Sequence, residues 1–484
     1  MALPTLRIIG FILGIFLITL AISMVIPMLT LLSFGRTDDL DAFLWSSLAT
    51  AIAGLALVIP GRPEHAQLRP RDMYLLTTGS WLVVCIFAAL PMVQIHHISY
   101  TDAFFETMSG ITTTGSTVLT GLDHASPGLL IWRSMLHWLG GIGFIGMAVA
   151  ILPLLRVGGM RLFQTESSDW GEKVMPRSHM AAKYILLVYL GFTLLGSLAY
   201  WLAGMSPFDA LNHAMASIST GGFSTSDLSL ANWSQPAIHW VAVVTMIIGS
   251  LPFTLYVATL RGHRRALIKD HQVRGFVGFL VLTWLVVGTW LWLHSDYSWL
   301  DAFRIVAVNV TSVVTTTGFA LGDYTQWGSF AVLLFFYLTF VGGCSGSTAG
   351  GLKIFRFQVA YVLLKANLQQ LVHPRAVIKQ QYNNHNLDEE IVRSLITFSF
   401  FFTITIGVIA LGLAMIGLDW ITALTAAATA VCNVGPGLGP IIGPAGNFAS
   451  LPDSAKWLLT LGMLLGRLEI LTVLVLVTRS FWKH

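Results

Sequence analysis

The chain alternates long apolar runs with short polar segments along its whole length. A helix needs about 20 mostly apolar residues to cross the hydrocarbon core of a bilayer. The pattern therefore predicts an all-α polytopic membrane protein. Ten runs are long enough to cross, at residues 7–33, 42–60, 74–95, 128–155, 181–204, 236–260, 275–294, 327–365, 392–416 and 453–479.

A short polar turn containing glycine interrupts this pattern four times. The copies are GITTTGST at 110–117, ISTGGFST at 218–225, VTTTGFAL at 314–321 and VCNVGPGL at 431–438. A single threonine-rich turn is more often a helix cap than a functional element, but four copies spread along the chain indicate an internal repeat. Each copy follows a helix-like segment that begins with Asp and is too short to cross a membrane, at 102–111, 209–218, 301–314 and 419–431.

Each repeat therefore has two crossings and one element that enters the membrane and returns. Successive repeats then point the same way and can gather around an axis along the membrane normal. Non-helical backbone is tolerated at membrane depth only where it is buried in protein or lines a watery cavity. Four turns around a pore meet this condition, because their carbonyl oxygens can replace the hydration shell of an ion. The four turns carry no carboxylate, which favours a monovalent cation over calcium or magnesium.

Composition and charge agree with a membrane protein and suggest its orientation. Of the 484 residues, 55% are hydrophobic and 10% are charged, against about 25% charged residues in soluble domains. Most Lys and Arg residues fall on alternate loops, which predicts cytoplasmic termini. The first run has no small-residue cleavage site and is predicted to be a retained helix. The opposite face is predicted to carry many acidic residues, as an acidic mouth for cations or as ordinary outer loops, and four cations: Arg36, Arg133, Arg304 and Lys456.

Other classes of site find little support in the sequence. The three cysteines give neither a disulfide framework nor a metal-binding spacing. His137, His213 and Asn212 lie near the polar turns, but without the spacing of a metal site. No phosphate-binding glycine motif is present, so we expect any nucleotide to bind on a partner. An enzyme acting on lipid would need a clustered nucleophile and base, and the sequence offers none.

A glycine-rich segment, GGCSGSTAGGLK at 342–353, lies halfway along the second crossing of the third repeat. Each glycine costs a helix about 1 kcal/mol relative to alanine, so we expect an unwound loop just inside the turns. The alternative is close helix packing mediated by small residues. The matching stretches in the other repeats, 140–143, 249–252 and 466–469, also contain helix-weakening or unusual residues. The candidate gate residues here are Gly342, Gly343, Cys344, Ser345, Gly346, Ser347, Thr348, Ala349, Gly350, Gly351 and Lys353.

Arg467 lies at the matching depth in the last repeat. A charged side chain in an apolar helix is costly and generally faces the bundle interior or a cavity. A fixed positive charge there would oppose cation passage and could donate hydrogen bonds to carbonyls of the glycine-rich loop. The alternative is a structural ion pair with Glu469, although residues two apart on a helix do not share a face. We therefore expect the loop and Arg467 to form a cytoplasmic barrier.

These features resemble the Trk/Ktr/HKT superfamily of potassium transporters. The resemblance rests on four M1–pore–M2 units, on the turns TTTGS, STGGF, TTTGF and NVGPG, and on GGCSGSTAGGLKIFR at 342–356. Two additional N-terminal helices, WLGGIGFIGMAVAILP at 138–153 and LLGRLEILTVL at 464–474 are similar to the bacterial TrkH branch. The resemblance implies that the selectivity filter corresponds to Thr112, Thr113, Thr114, Gly115, Ser219, Thr220, Gly221, Gly222, Thr315, Thr316, Thr317, Gly318, Cys432, Asn433, Val434 and Gly435.

The resemblance also implies a function and partners. It implies potassium uptake across the bacterial inner membrane, one pore per chain, a homodimer, and a cytoplasmic TrkA-like regulator that binds NAD(H) or ATP/ADP. Potassium is then the transported ligand, and no organic cofactor or nucleic acid is expected. The departures Gly221, Asn433 and Val434 leave sodium or mixed-cation transport, with or without ion or proton coupling, as the alternative.

The repeats divide the chain into five predicted parts: two N-terminal helices at 1–68 and repeats at 69–160, 161–270, 271–385 and 386–484. Two cytoplasmic loops, 156–183 and 366–391, are candidate contacts for the regulator. The first of them is equally well explained as an ordinary solvated loop.

Overall fold

The computed structural model describes residues 3–61, 69–96, 98–150, 178–376, 378–383 and 385–483. Its first helices, Leu3–Ser23 continuing as Val25–Ser33, pack against Leu40–Val58. The two crossings approach closely where Gly14 meets Gly54, since a Cβ atom on Gly14 would lie 2.7 Å from the Gly54 carbonyl oxygen. Small residues at such a crossing let the helix backbones come together in the membrane.

Four units follow, and each has a first helix (M1), a short pore helix and a second helix (M2). The M1 helices are Pro70–Ala88 with Leu90–His96, Ser178–Leu202, His271–His294 and Glu389–Met415. The pore helices are Tyr100–Ile111, Pro207–Ile218, Trp299–Val314 and Trp420–Cys432. The M2 helices are Pro127–Ala150, Pro236–Ser250 with Phe253–Leu260, Ser329–Phe340 with Ile354–Val372, and Asp453–Arg467 with Leu471–Val477.

The remaining regular elements of the described residues are short. They are the 3-10 turns Leu122–His124, Ser229–Asn232 and Tyr324–Trp327, the helices Ala266–Lys269 and Arg479–Trp482, and two strand pairs. Strand β1 (Val341–Gly342) pairs in parallel with β2 (Leu352–Lys353), and β3 (Gln381–Tyr382) pairs in antiparallel with β4 (His385–Asn386). The sequence predicted none of these strands.

Helices occupy all ten stretches that hydropathy predicted to cross, but several are not single spans. Within the described residues, six segments are long and apolar enough to cross, and two bent pairs make eight if each pair counts as one span. The crossings predicted at 236–260 and 453–479 each consist of two helices, which bend by 91° and 116° close to the helix-weakening stretches 249–252 and 466–469. The interruption predicted in the third M2 helix is confirmed between Phe340 and Ile354. Residues 151–155 of the fourth predicted crossing lie outside the described residues.

The four units pack in a closed cycle. Each pore helix contacts the M2 helix of its own unit and also the M2 helix of the preceding unit. The pore helix of unit 2 packs on Pro127–Ala150 and that of unit 3 on Pro236–Ser250. The pore helix of unit 4 packs on Ser329–Phe340, and that of unit 1 closes the cycle on Asp453–Arg467. The four-unit arrangement around one axis follows from these contacts, whereas the exact unit boundaries stay a prediction.

The pore helices begin at polar caps. The hydroxyls of Ser99, Ser206 and Ser298 accept hydrogen bonds from the amides of the aspartates three residues later. The fourth pore helix is capped by Asp419 itself, and hydrogen bonds from Thr422 hold the pKa of that carboxyl below its usual range. The predicted role of the aspartates at helix starts is therefore direct in unit 4, while in units 1 to 3 the Asp lies in the first turn of a serine-capped helix.

The outward surface of the ring is apolar. Large hydrophobic side chains on the M1 helices are exposed, among them Leu194, Leu195, Leu282, Phe400 and Leu411. The pore helices, by contrast, are buried along most of their length. An exposed band of this kind is expected of helices that face lipid acyl chains.

The Gly14–Gly54 crossing predicts a selective effect of side-chain volume. Gly14→Val places branched carbon against the Gly54 backbone, which overpacks the crossing at a cost of roughly 1–3 kcal/mol. Gly10→Val is the matched control on the same helix, because a Cβ atom there meets only Leu57, at 3.9 Å. We expect the thermal midpoint in detergent to fall for Gly14→Val only; equal midpoints for the two variants would contradict this packing.

Candidate functional site

The four polar turns share an unusual backbone conformation. Positions are counted within the four central residues of each turn, 112–115, 219–222, 315–318 and 432–435. The second of these residues has positive φ: 54° at Thr113, 52° at Thr220, 57° at Thr316 and 55° at Asn433. The left-handed region costs a residue with a side chain roughly 1–2 kcal/mol. The fourth residue of each turn is a glycine, also at positive φ: Gly115, Gly222, Gly318 and Gly435. Strain repeated at four equivalent buried positions points to a functional constraint.

The four glycines lie against the neighbouring turns. A Cβ atom on Gly222 would overlap the carbonyl oxygen of Thr317 in the next unit. The corresponding close approaches join Gly115 to Gly221, Gly318 to Val434, and Gly435 to Thr114. These four contacts close a ring in which the carbonyl at the third position of each turn lies beside the glycine of a neighbouring turn. Turns of this kind can place several neutral oxygens around one axis.

The threonine hydroxyls of the turns are largely occupied by one another. The hydroxyls of Thr112 and Thr114 lie 2.7 Å apart, as do those of Thr315 and Thr317. In unit 4, the amide of Asn433 instead donates to the Thr114 hydroxyl at 2.9 Å and to the Met463 carbonyl. These hydroxyls and the Asn433 amide therefore support the ring from behind, whereas the Thr113 hydroxyl is buried without a hydrogen-bond partner.

The second turn lacks a side chain at its third position, and a neighbouring helix fills the space. A Cβ atom on Gly221 would overlap the imidazole of His137, which comes from the M2 helix of unit 1. That ring stacks on Phe223 at 4.0 Å between centroids. Gly221 and His137 thus form a complementary pair, which explains why the second turn has no side chain at its third position.

The glycine-rich segment forms a loop directly beneath the ring, and pairing of β1 with β2 brings its two ends together. The Gly350 amide donates to the Thr316 hydroxyl at 2.6 Å, and the Thr220 hydroxyl donates to Thr348 at 3.2 Å. A Cβ atom on Gly350 would also lie 2.6 Å from the Cys432 carbonyl oxygen. The loop therefore contacts the turns of units 2, 3 and 4.

The bend in the second M2 helix supplies acceptors to this loop. The carbonyls of Gly249 and Ser250 are released from the helix at the bend and accept from the amides of Thr348 and Cys344. The Gly346 carbonyl accepts in turn from the Phe253 amide. Peptide groups that lose their helical partners at the bend in the second M2 helix thus hydrogen bond with peptide groups of the loop in the third M2 helix. Buried peptide groups need such partners.

Arg467 is buried and donates to the loop through a hydrogen bond of 2.8 Å from Nη1 to the Thr348 carbonyl. Its guanidinium also lies 3.9 Å from the Phe144 ring centroid. Lys353 is buried as well and donates to the Ala349 carbonyl. Two buried basic side chains therefore hold carbonyls of the same loop.

The alternative pairing of Arg467 with Glu469 is not found. Glu469 lies within the sharp bend of the last M2 helix, at a φ of 58°, and its carboxylate accepts from Arg356 at 2.7 Å. Both side chains of this pair are buried, and Arg356 belongs to the helix that leaves the glycine-rich loop. Residues 467–469 thus contact the loop region on two sides.

Sequence reasoning missed a second buried charged group. It placed Arg133 on the outer side of the membrane without naming a partner, and the structure buries this side chain in the M2 helix of unit 1, paired with Glu106 at 2.9 Å. It also assigned Lys456 there, and this side chain is buried against Asp102. Isolated charges within or beside apolar runs were the available signal, but hydropathy alone could not name their partners. Among the described residues, no cluster of three His, Cys, Asp or Glu side chains could hold a metal ion.

Of the two candidate docking loops, the second is described much more fully than the first. Residues 156–177 of the first loop lie outside the described residues. In the second, the third M2 helix continues to Val372 and is followed by the hairpin of β3 and β4. Exposed apolar side chains, including Leu364, Leu368 and Leu371, lie along the end of that helix.

Comparison with known proteins gives consistent matches over nearly the whole chain. The profile of the TrkH family, described as cation transport protein, matches residues 41–483. The potassium uptake protein TrkI of Halomonas elongata is 52% identical over 475 residues, which cover 98% of this chain and 96% of that protein. TrkH of Escherichia coli K12 is 36% identical, with 98% of each chain covered. The crystal structure of the potassium transporter TrkH from Vibrio parahaemolyticus superposes with a TM-score of 0.91 at 36% identity, covering 99% of each chain.

The close approaches at the turns predict an unequal effect of two alanine substitutions. Gly222→Ala combines positive φ with overlap of the Thr317 carbonyl, and we expect a loss of roughly 2–4 kcal/mol of stability. Gly121→Ala is the matched control, because Gly121 also has positive φ but no atom would lie within 4 Å of its Cβ atom. Thermal unfolding in detergent should show a clearly larger drop for Gly222→Ala, and a drop of the same size in both variants would argue against the ring of contacts.

Proposed function

The chain belongs to the TrkH family of cation transport proteins, and we propose that it takes up potassium through the ring formed by the four polar turns. It is a transporter and not an enzyme. The observation that carries the proposal is the closed cycle of glycine-to-carbonyl contacts among four strained turns. We refer to these turns as the filter, and to residues 342–351 as the gate loop.

The chemistry of the filter supports a monovalent cation. Its members offer neutral oxygens, and a hard monovalent ion can shed part of its water there and still leave. Relatives at 36–52% identity are named potassium uptake proteins, which favours potassium over sodium. The non-identical turns, with Gly221 and Asn433, keep sodium or mixed-cation transport as the second candidate, with or without coupling to another ion.

The gate loop and Arg467 form the barrier on the cytoplasmic side of the filter. An ion leaving the filter meets the gate loop, which is hydrogen bonded to Thr220 through the Thr348 hydroxyl and to Thr316 through the Gly350 amide. It also meets the basic side chains of Arg467 and Lys353. Close positive charge in a poorly screened interior strongly disfavours a cation. Flux then requires the loop to leave this position.

A cytoplasmic partner controls that movement. The gate loop continues into the helix Ile354–Val372, whose far end exposes an apolar row that a nucleotide-binding regulator of the TrkA type would cover. The regulator's nucleotide is NAD(H) or ATP/ADP, and it binds on the regulator rather than on this chain. The transporter acts as a homodimer in the bacterial inner membrane, with both termini in the cytoplasm.

Growth of a potassium-uptake-deficient bacterial strain at low external potassium tests the transport proposal. Expression of the chain should restore growth, and uptake should be faster for potassium and rubidium than for sodium and lithium. Gly115→Ser and Gly318→Ser place a side chain against a filter carbonyl and should reduce growth or relax the preference for potassium. Gly121→Ser is the control outside the ring. Equal growth with and without the protein would refute potassium uptake, and faster sodium uptake would favour the second candidate.

The barrier is tested by removing its parts. Arg467→Ala and deletion of residues 346–350 should each raise ion flux in proteoliposomes that lack any regulator, by roughly tenfold or more if about 1.4 kcal/mol of the barrier is removed. Arg479→Ala, in the exposed C-terminal helix, is the matched charge-removal control. Flux that stays at the wild-type level in both barrier variants would refute the gating role of these residues.

A further inference from the structure

In every unit, a polar side chain of the pore helix holds the chain just beyond the filter. Glu106, His213 and Asn309 each lie nine positions before the filter glycine of their unit. Glu106 accepts from the Val118 amide, His213 hydrogen bonds the Ser224 hydroxyl, and Asn309 bonds both the amide and the carbonyl of Leu321. Unit 4 has Ala426 at this position, and the neighbouring Thr425 accepts from the Leu438 amide instead.

In unit 1, the polar side chain that holds the segment beyond the filter is a carboxylate. Glu106 is completely buried and accepts from the Thr117 hydroxyl, the Val118 amide and Arg133 Nε, at 2.9 to 3.0 Å. Arg133 is itself 1% exposed. In the described part of the chain, the other ion pair with two buried side chains is Arg356–Glu469 beside the gate loop.

Arg133 also bridges two units. Its Nη2 donates to the Thr117 hydroxyl of unit 1 at 3.2 Å, and its Nη1 donates to the Ser224 carbonyl of unit 2 at 3.0 Å. Thr117 and Ser224 are equivalent positions, two residues beyond Gly115 and Gly222. One guanidinium therefore fixes the distance between matching points of adjacent filter turns. Only Arg among the cationic side chains has a planar fork that can hold three such acceptors at once.

The neighbouring side chains complete this bridge. The Arg133 guanidinium lies 4.0 Å from the centroid of Phe223, which follows the filter glycine of unit 2. Phe223 in turn stacks on His137, one helical turn beyond Arg133. We call the interface between two adjacent units a seam. At the seam between units 1 and 2, aromatic, cationic and anionic groups are in direct contact with one another and with the filter backbone.

Beside the filter turns, the seams between units 2 and 3 and between units 4 and 1 are held by neutral hydrogen bonds, and the Lys456–Asp102 pair joins units 4 and 1 only at the start of the pore helix. The Ser229 hydroxyl accepts from the Ala320 amide between units 2 and 3, and the Ser116 hydroxyl donates to the Gly435 carbonyl between units 4 and 1. A buried ion pair is seldom the cheapest way to gain stability, because desolvation of both charges offsets much of their attraction. Its directional and charge-assisted hydrogen bonds are better suited to fixing a geometry.

We propose that Glu106 and Arg133 are positioning residues that set the spacing of the filter turns of units 1 and 2, and thereby the preference for potassium over sodium. The inference rests on the proposed transport function. Potassium and sodium differ in the size of the oxygen cage that suits them, so a looser seam lets the carbonyls close around the smaller ion.

The test compares initial rates of potassium and sodium uptake in potassium-depleted cells of the deficient strain, for the full-length chain at matched membrane levels. Glu106→Gln and Arg133→Lys should lower the potassium-to-sodium rate ratio by roughly tenfold, because each breaks part of the three-way bridge. Thr117→Val removes a neutral arm and leaves the ion pair whole, so the ratio should fall by a smaller factor of roughly three. Arg304→Gln is the matched control, since it breaks the partly exposed Arg304–Asp301 pair on the pore helix of unit 3.

A structural role alone would lower both rates together through the amount of folded protein and leave their ratio unchanged. An unchanged ratio in Arg133→Lys and Thr117→Val overturns the proposal, and these two mild variants decide the matter even if Glu106→Gln does not reach the membrane. A fall in the ratio that is equally large in Arg304→Gln also overturns it. If the wild-type chain itself takes up no potassium, the proposed function fails; a selective wild type with unchanged variants refutes this inference alone.

Discussion

Peptide groups that leave a helix inside the membrane must find hydrogen-bond partners within the protein, and the interior of this molecule is organised around that requirement. The filter turns and the gate loop place non-helical backbone at the core of the ring. The broken second M2 helix gives its free carbonyls to the loop, and Arg467 and Lys353 satisfy two of the loop carbonyls. The loop gives an amide to Thr316 of the filter. Each break in regular structure is therefore compensated by another break nearby.

This mutual dependence explains why the four units are similar without being identical. The cyclic packing of pore helices on M2 helices needs only a common shape, which the repeat supplies. The side chains behind the filter differ from seam to seam: His137 fills the space above Gly221, Asn433 reaches Thr114, and Glu106 pairs with Arg133. A duplicated unit can retain its backbone and still give each seam its own function.

Much of the architecture could be predicted from the sequence, because it depends on signals that are local or repeated. Hydropathy located the helices, and repetition of the turns indicated a ring. The glycine-rich segment predicted the break after Phe340, since glycine weakens a helix at any interior position. What the sequence could not give was contacts between distant segments. Nothing local tells Arg133 to pair with Glu106, or Glu469 to prefer Arg356 over the nearby Arg467, because a bend of 116° turns these neighbours apart.

The closed cycle of packing also has a consequence for synthesis. The pore helix of unit 1 packs on Asp453–Arg467, and the filter turn of unit 1 touches Gly435 and Asn433. Partners of the first turn therefore emerge from the ribosome after units 2 and 3. Until then the strained turn at Thr113 and the buried carboxylate of Glu106 lack part of the surroundings that hold them. The ring of four turns can thus close only after unit 4 has been synthesised.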